Sequence, residues 1–206
     1  MHELLTQAPG ERMTLADYRL DFAREFWQTG RPGFWKLERQ QFFQEPGYRS
    51  WEAFARGDWA EALALLERDR PQFAAEHRRA TERGFTIRRV RVVEEPIIPY
   101  LQWELHVLRV REQCGTEVRV VNAEQVAAYE TAGPLPEVCT LGHTVMYEIV
   151  YDHRGILDGG RKFTDPALIL RWQRLIADLY SAGEPLADYF TRRVAPLPAP
   201  TFQQAT

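Results

Sequence analysis

Along the first third of the chain the apolar positions recur at helical intervals. Leu15, Tyr18, Phe22 and Phe26 fall at i, i+3, i+7 and i+11, one face of a helix. Thr14 and Asp17 form a capping pair before it, and Gly30 is its stop. Phe34 to Arg39 reads as a short extended segment, and Pro46-Gly47 as a turn. Ser50 sits at a cap position before a short helix carrying Trp51 and Phe54, which Gly57 ends. Asp58 with Glu61 is a capping box for a helix from Trp59 to Glu67, and Pro71 opens another that runs to Gly84. Residues 1–13 lack such a pattern and are expected to be a flexible arm.

The middle of the chain changes period. Val90-Arg91-Val92-Val93 and Val118-Arg119-Val120-Val121 are the same tetrapeptide with the β-branched content of strands. Between them Pro99 opens a helix with Leu101, Leu105 and Leu108 on one face, and Gly115 stops it. A strand, a helix and a strand joined by a connection this long make a βαβ unit with parallel strands. After Asn122 comes a brief helix from Ala123 to Tyr129, then three extended segments: Val138 to Leu141, Val145 to Tyr151 and Ile156 to Phe163. The turns Gly142-His143 and Asp152-His153-Arg154-Gly155 join these segments into an antiparallel meander. Thr164 or Asp165 caps a helix with Pro166 in its first turn and Leu168, Trp172, Leu175 and Leu179 on one face; Gly183 closes it. The fold class expected is α+β: a small mixed sheet with one βαβ unit and a meander, one face covered by helices. It occupies residues 14–192 as a single domain, with 193–206 as a proline-spaced tail.

Composition narrows the function classes. Of 206 residues 45% are hydrophobic and 12% aromatic, enough for a core, which excludes an intrinsically disordered chain. No apolar run is long enough for a membrane span, and no secretory signal is recognisable, so a cytoplasmic location is expected. The net charge of −3 argues against direct nucleic-acid binding. The basic residues include only two lysines, Lys36 and Lys162, which limits lysine-centred chemistry, and no phosphate-loop, dinucleotide or serine-hydrolase motif occurs. Cys114, Cys139 and His143 fit no metal-site spacing, so no metal is assigned, and no cofactor.

Two sets of residues remain as candidates. Arg91 and Arg119, with Arg88 and Arg89 nearby, make an anion-binding patch if they share a sheet face; the plainer reading pairs them with Glu94, Glu95, Glu104 and Glu117. Trp103, Glu104 and His106 on the crossover helix join them as ligand-binding candidates. His143, Asp152 and His153 are the catalytic candidates, an imidazole beside a carboxylate being suited to general-base work. Against that stands turn chemistry, in which Asp-His-Arg-Gly is ordinary. Tyr147 and Glu148 must point to opposite faces of their strand.

The stretches Phe34-Trp35-Lys36-Leu37-Glu38, Arg89-Val90-Arg91-Val92-Val93-x-Glu95-Pro96 and Tyr100-Leu101-Gln102-Trp103-Glu104-Leu105 resemble an actinobacterial family, that of domain of unknown function six-eight-seven-nine. So do Tyr151-Asp152-x-x-Gly155, Thr164-Asp165-Pro166-Ala167 and Glu184-Pro185-Leu186. The resemblance runs from about residue 30 to 190. It departs from the family pattern at Gly142-His143, where acidic residues are usual, and in fuller N-terminal helices. It implies a genomic setting beside helix-turn-helix regulators. More distantly the strand order is similar to one half of a phospholipase-D-like domain, but Gly160 and Phe34 stand where that motif's histidine precedes its lysine. That analogy implies architecture only.

Three functions are therefore expected in order. The first is a non-enzymatic regulatory or protein-interaction module, its partner a protein such as a helix-turn-helix regulator, with homo-oligomerisation left open. The second is an enzyme of a bacterial specialised or conflict pathway acting on a small or phosphorylated substrate. The third is a ligand-sensing domain with an aromatic pocket. Convergence of Arg91, Glu104 and His106 on a deep pocket favours the second or third, and a broad apolar patch favours the first.

Overall fold

The structure, a computed structural model, describes residues 2–201. In chain order its elements are α1 (His2–Gln7), β1 (Glu11–Met13), α2 (Leu15–Phe26), β2 (Phe34–Glu38), α3 (Arg49–Ala55), α4 (Trp59–Glu82) and β3 (Ile87–Val93). Then follow α5 (Pro99–Gln113), β4 (Glu117–Asn122), α6 (Ala123–Val126), a 3-10 turn (Ala127–Tyr129), β5 (Val138–Leu141), β6 (Val145–Tyr151) and β7 (Leu157–Phe163). The chain ends with α7 (Pro166–Ala182), β8 (Glu184–Pro185), α8 (Leu186–Tyr189) and a π-helical turn (Phe190–Val194).

The fold is α+β, built on one mixed eight-stranded sheet in the order β1-β7-β6-β5-β2-β3-β4-β8. The twin valine-rich segments are parallel neighbours, with Arg91 opposite Val120 and α5 as their crossover. β5, β6 and β7 form the antiparallel meander. A second parallel pair, β2 with β3, is connected through α3 and α4, so the sheet holds two βαβ units where one is expected from the sequence.

Alternation along the strands divides the sheet into two unlike faces. Leu37, Val90, Val92, Val121, Val138 and Met146 point one way and meet Leu168, Trp172, Leu175 and Leu179 of α7. The other residues of the same strands meet α2, α4 and α5. The expectation that all helices cover one face is therefore corrected: α7 lies on one side and α2, α4 and α5 on the other. β2 and β3 are buried on both faces, as parallel strands are.

Four further expectations are revised. The break at Pro71 does not occur, and α4 runs unbroken from Trp59 to Glu82 with Pro71 inside it. Its buried positions Ala62, Leu65, Leu66, Phe73 and Ala80 stay in phase through the proline, so packing outweighs a local cost of about 3 kcal/mol. Residues 2–13 of the expected arm are ordered: Leu5 is buried in the main core, and β1 pairs with β7. Ser50 is no cap; its hydroxyl donates to the Ala62 carbonyl (2.8 Å) and accepts from the Trp103 indole (3.0 Å), tying α3 to α4 and α5. The expected tail starts within the π-helical turn, and the Gln102 amide donates to the Pro198 carbonyl (3.0 Å); residues 202–206 lie outside the described residues.

If α7 carries the cohesion of its face, Trp172→Ala lowers unfolding stability by about 3–5 kcal/mol. Leu20→Ala, at a side chain 75% exposed, changes it by less than about 0.5 kcal/mol. Urea denaturation of both variants checks this.

Candidate functional site

The face toward α5 carries charge where an apolar strand is the norm. On β2, Phe34, Lys36 and Glu38 share that face; on β3, Ile87, Arg89 and Arg91 do, with Lys36 opposite Arg89 and Glu38 opposite Arg91. Over them lies a cavity of about 410 Å³, walled by α5 (Trp103, Glu104, Val107, Arg111), the β2–α3 loop (Phe43, Gln44, Glu45, Tyr48) and Tyr151 at the end of β6.

Arg91 forms its deepest tie. Its guanidinium is wholly buried, donates through Nε to Glu104 Oε2 (2.9 Å) and lies 2.6 Å from the same oxygen through Nη2. The remaining donors reach the carbonyls of Glu38 (3.1 Å), Val92 (3.1 Å) and Gln40 (2.7 Å). Beside it Lys36 Nζ (2.7 Å) and Arg89 Nη1 (2.8 Å) both bind Glu38 Oε1. Burial opposes ionisation of Glu38, but Arg89, Lys36 and Arg91 overcome it and hold the carboxyl well below its usual range. Glu104 goes the other way. Burial pushes its carboxyl up to about 7, Arg91 offsetting this in part and the carboxylates of Glu38 and Glu45 adding to it. Burial also raises Glu45, whose Oε1 accepts from the Tyr100 hydroxyl at 2.7 Å. Arg111 is lowered by burial and by Arg89, and donates to Glu76 at 3.0 Å.

Of the residues singled out from sequence, Trp103 and Glu104 line the cavity, and Arg91 lies behind it, bound to Glu104. His106 does not line the cavity; it packs edge-on against Trp59 and Phe190, and burial lowers its pKa. Arg119 lies on the opposite face of the sheet, its guanidinium 5.3 Å from the Tyr180 ring centre. The single anion patch is thus split, because Arg119 registers with Val90 and not with Arg91. Arg88 shares that far face and pairs with Glu117 at 2.8 Å, as the plainer reading had it.

The catalytic candidates do not converge. His143 is exposed in the β5–β6 turn, while Asp152 and the exposed His153 stand at the far end of β6. Asp152 accepts from the amides of Arg154 and Ile156 (both 2.9 Å), the turn chemistry weighed above, and those bonds lower its pKa. Tyr147 and Glu148 point to opposite faces, toward Asp21 and Arg161. Cys139 is buried in the sheet, which pushes its thiol up to about 12. Among the described residues no three His, Cys, Asp or Glu side chains cluster as metal ligands, and no helix is long and apolar enough to cross a membrane.

Lys36, Glu38, Glu45 and Arg111 belong to the site and were not picked out as site residues from sequence, and Arg89 was weighed there only within the anion patch. The available signal was charge at i and i+2 on two segments, Lys36-x-Glu38 and Arg89-x-Arg91, within strands buried on both faces.

Removing one partner from a buried ion pair leaves an uncompensated charge, so Arg91→Met costs about 3–5 kcal/mol. Adding Glu104→Leu recovers part of that loss, and the double-mutant cycle in urea gives a coupling above about 1 kcal/mol; additive losses would deny the pair. The proton on Glu104 supplies a second check. The folded chain binds it more tightly than the unfolded chain, where the carboxyl has its ordinary value of 4.5. Folding therefore takes up a proton between about 4.5 and about 7. The stability this group contributes is full below that window, falls as pH rises through it and is gone above it. Glu104→Gln flattens that part of the stability–pH curve, while Glu38, shifted the other way, titrates below the window.

No curated protein matches this chain. The family described as Domain of unknown function (DUF6879) matches residues 21–191, which take in the whole sheet except β1 and every wall of the cavity except Leu15 and Arg19. The chain therefore belongs to the DUF6879 family.

Proposed function

We propose that this protein is a ligand-sensing regulatory module: a small polar molecule occupies the cavity over β2 and β3, and a protein partner reads the outcome. The carrying observation is the cavity floor. It presents ionised groups on a rigid sheet, and two of their atoms, Glu38 Oε2 and Arg89 Nε, are buried without a hydrogen-bond partner. A volume of about 410 Å³ with aromatic walls suits a small molecule.

The β2–α3 loop supports the regulatory half of the reading. Phe43, Gln44 and Glu45 line the cavity, whereas Phe42 is 44% exposed and lies by an outward apolar hollow with Trp51 and Ile98, over the buried Phe54. Tyr100 links the two, its ring 5.4 Å from Phe42 and 5.9 Å from Phe43. A molecule that shifts the loop shifts the hollow. A helix-turn-helix regulator of the kind the family resemblance suggests is the partner proposed for it.

Glu104 supports a second reading, that of an enzyme: a carboxyl near 7 in a cavity is tuned for general acid–base work. No activated nucleophile accompanies it among the described residues, and sensing needs none.

A crystallographic fragment soak with matching fluorine NMR tests the main reading. Hits gather in the cavity and are lost in Val107→Trp or Leu157→Trp, two substitutions from opposite walls, each checked for an unchanged fold by circular dichroism. Hits confined to the outer surface, or indifferent to both substitutions, overturn it; turnover of a cavity-bound fragment would favour the enzyme.

A further inference from the structure

The charges around the cavity are ordered along the strands. Along the backbone Lys36 and Arg89 sit level with each other, and Glu38 and Arg91 lie one strand repeat further on, about 6.6 Å away, while the heads of Lys36 and Arg89 both reach across to Glu38 Oε1. Glu104 joins Arg91 at that second level, and Glu45 lies nearby on the loop.

Neither level is balanced by the protein. At the first, two cations share one oxygen of Glu38, leaving a surplus of positive charge, and Arg89 Nε is a buried donor with nothing to donate to. At the second, the hydrogen bond that Glu45 makes among the described residues comes from a neutral donor, the Tyr100 hydroxyl, and Lys36 and Arg111 act on it only through space, without an ion pair. Glu104 gives only Oε2 to Arg91. Trp103, Phe43 and Tyr151 also line the cavity, the last two with ring centres 4.4 Å apart.

We infer that the molecule taken by this cavity is a small zwitterion with a flat apolar body, its anionic end at Lys36 and Arg89 and its cationic end at Glu45 and Glu104. The inference rests on the sensing reading and names its ligand class. A simple anion satisfies the first level but leaves Glu45 facing added negative charge. A simple cation satisfies Glu45 and meets the surplus of Lys36 and Arg89. Only a molecule carrying both signs completes both levels without leaving a desolvated charge unpaired.

Calorimetric titration of the full chain with three matched probes tests this: 4-(aminomethyl)benzoate, 4-methylbenzoate and 4-methylbenzylamine. The zwitterion binds roughly tenfold or more tightly than either singly charged probe, the scale of one charge-assisted contact. Glu45→Gln keeps an acceptor for Tyr100 and removes the charge. In that variant the zwitterion falls to the affinity of 4-methylbenzoate, while 4-methylbenzoate itself binds no more weakly. Lys36→Met weakens both acids and spares the amine, with circular dichroism reporting the fold of each variant. Equal binding of 4-methylbenzoate or of 4-methylbenzylamine overturns the zwitterion. So does binding of none of the three while other fragments fill the cavity, an outcome that leaves the sensing reading standing. An absence of any cavity binding removes both.

Discussion

Arg91 is the side chain on which this architecture turns. β2 ends at Glu38, and beyond it the chain swings over the sheet, so the carbonyls of Glu38 and Gln40 have no strand to pair with. Arg91, one strand over, supplies donors to both and to its own Val92. The same guanidinium holds Glu104, and through it the middle of α5. One buried fork therefore closes β2, sets where the roofing loop begins and fixes how α5 lies over the sheet. No lysine could do this, because a point charge with three donors lacks the planar spread that reaches three elements.

The two faces of the sheet divide the work. Toward α7 the buried core is close-packed Val, Leu, Ile, Met, Phe and Trp, and the ions of that face, Arg88 with Glu117 among them, are only partly buried. Toward α5 the strands carry Lys36, Glu38, Arg89 and Arg91, whose desolvation is costly and whose mutual pairing returns much of that cost. An interior of the second kind stands only where the first kind is secure. Extra fastening comes from Ser50, Trp103 and the Ala62 carbonyl, which lock α3, α4 and α5 into one layer.

Much of this was legible in the sequence. The repeated valine tetrapeptide and the Pro99 helix fix a parallel pair, and the turn residues of the last third fix the meander. The strand Phe34–Glu38 was legible as extended, but its parallel partner was not, since alternating charge conceals burial and a long helical connection separates it from β3. The faces of Arg91 and Arg119 depend on register, and the two copies of the tetrapeptide pair one residue out of phase: Arg91 meets Val120 and Val90 meets Arg119. Composition cannot report that offset. Pro71 misleads for a similar reason, because local preference gives way where the apolar stripe of α4 continues in phase. His143 and His153 are close in sequence to a plausible carboxylate but lie at opposite ends of β6, which an extended strand guarantees.

The charged floor also bears on what the protein is for. Apolar replacement of a buried ion pair is often neutral or stabilising, so stability alone gives no reason to line β2 and β3 with Lys36, Glu38, Arg89 and Arg91. The arrangement makes sense when some of those groups have work besides cohesion. Arg91 is fully occupied with backbone and Glu104, which marks it as structural. Lys36, Arg89 and Glu38 hold one another, yet Glu38 and Arg89 keep atoms in reserve, and among the described residues Glu45 makes no ion pair. Neighbours of one type thus fall into two roles according to how completely the protein satisfies them. On the floor itself, Glu38 and Arg89 each keep a buried atom without a partner and line the cavity, whereas Arg91 does neither.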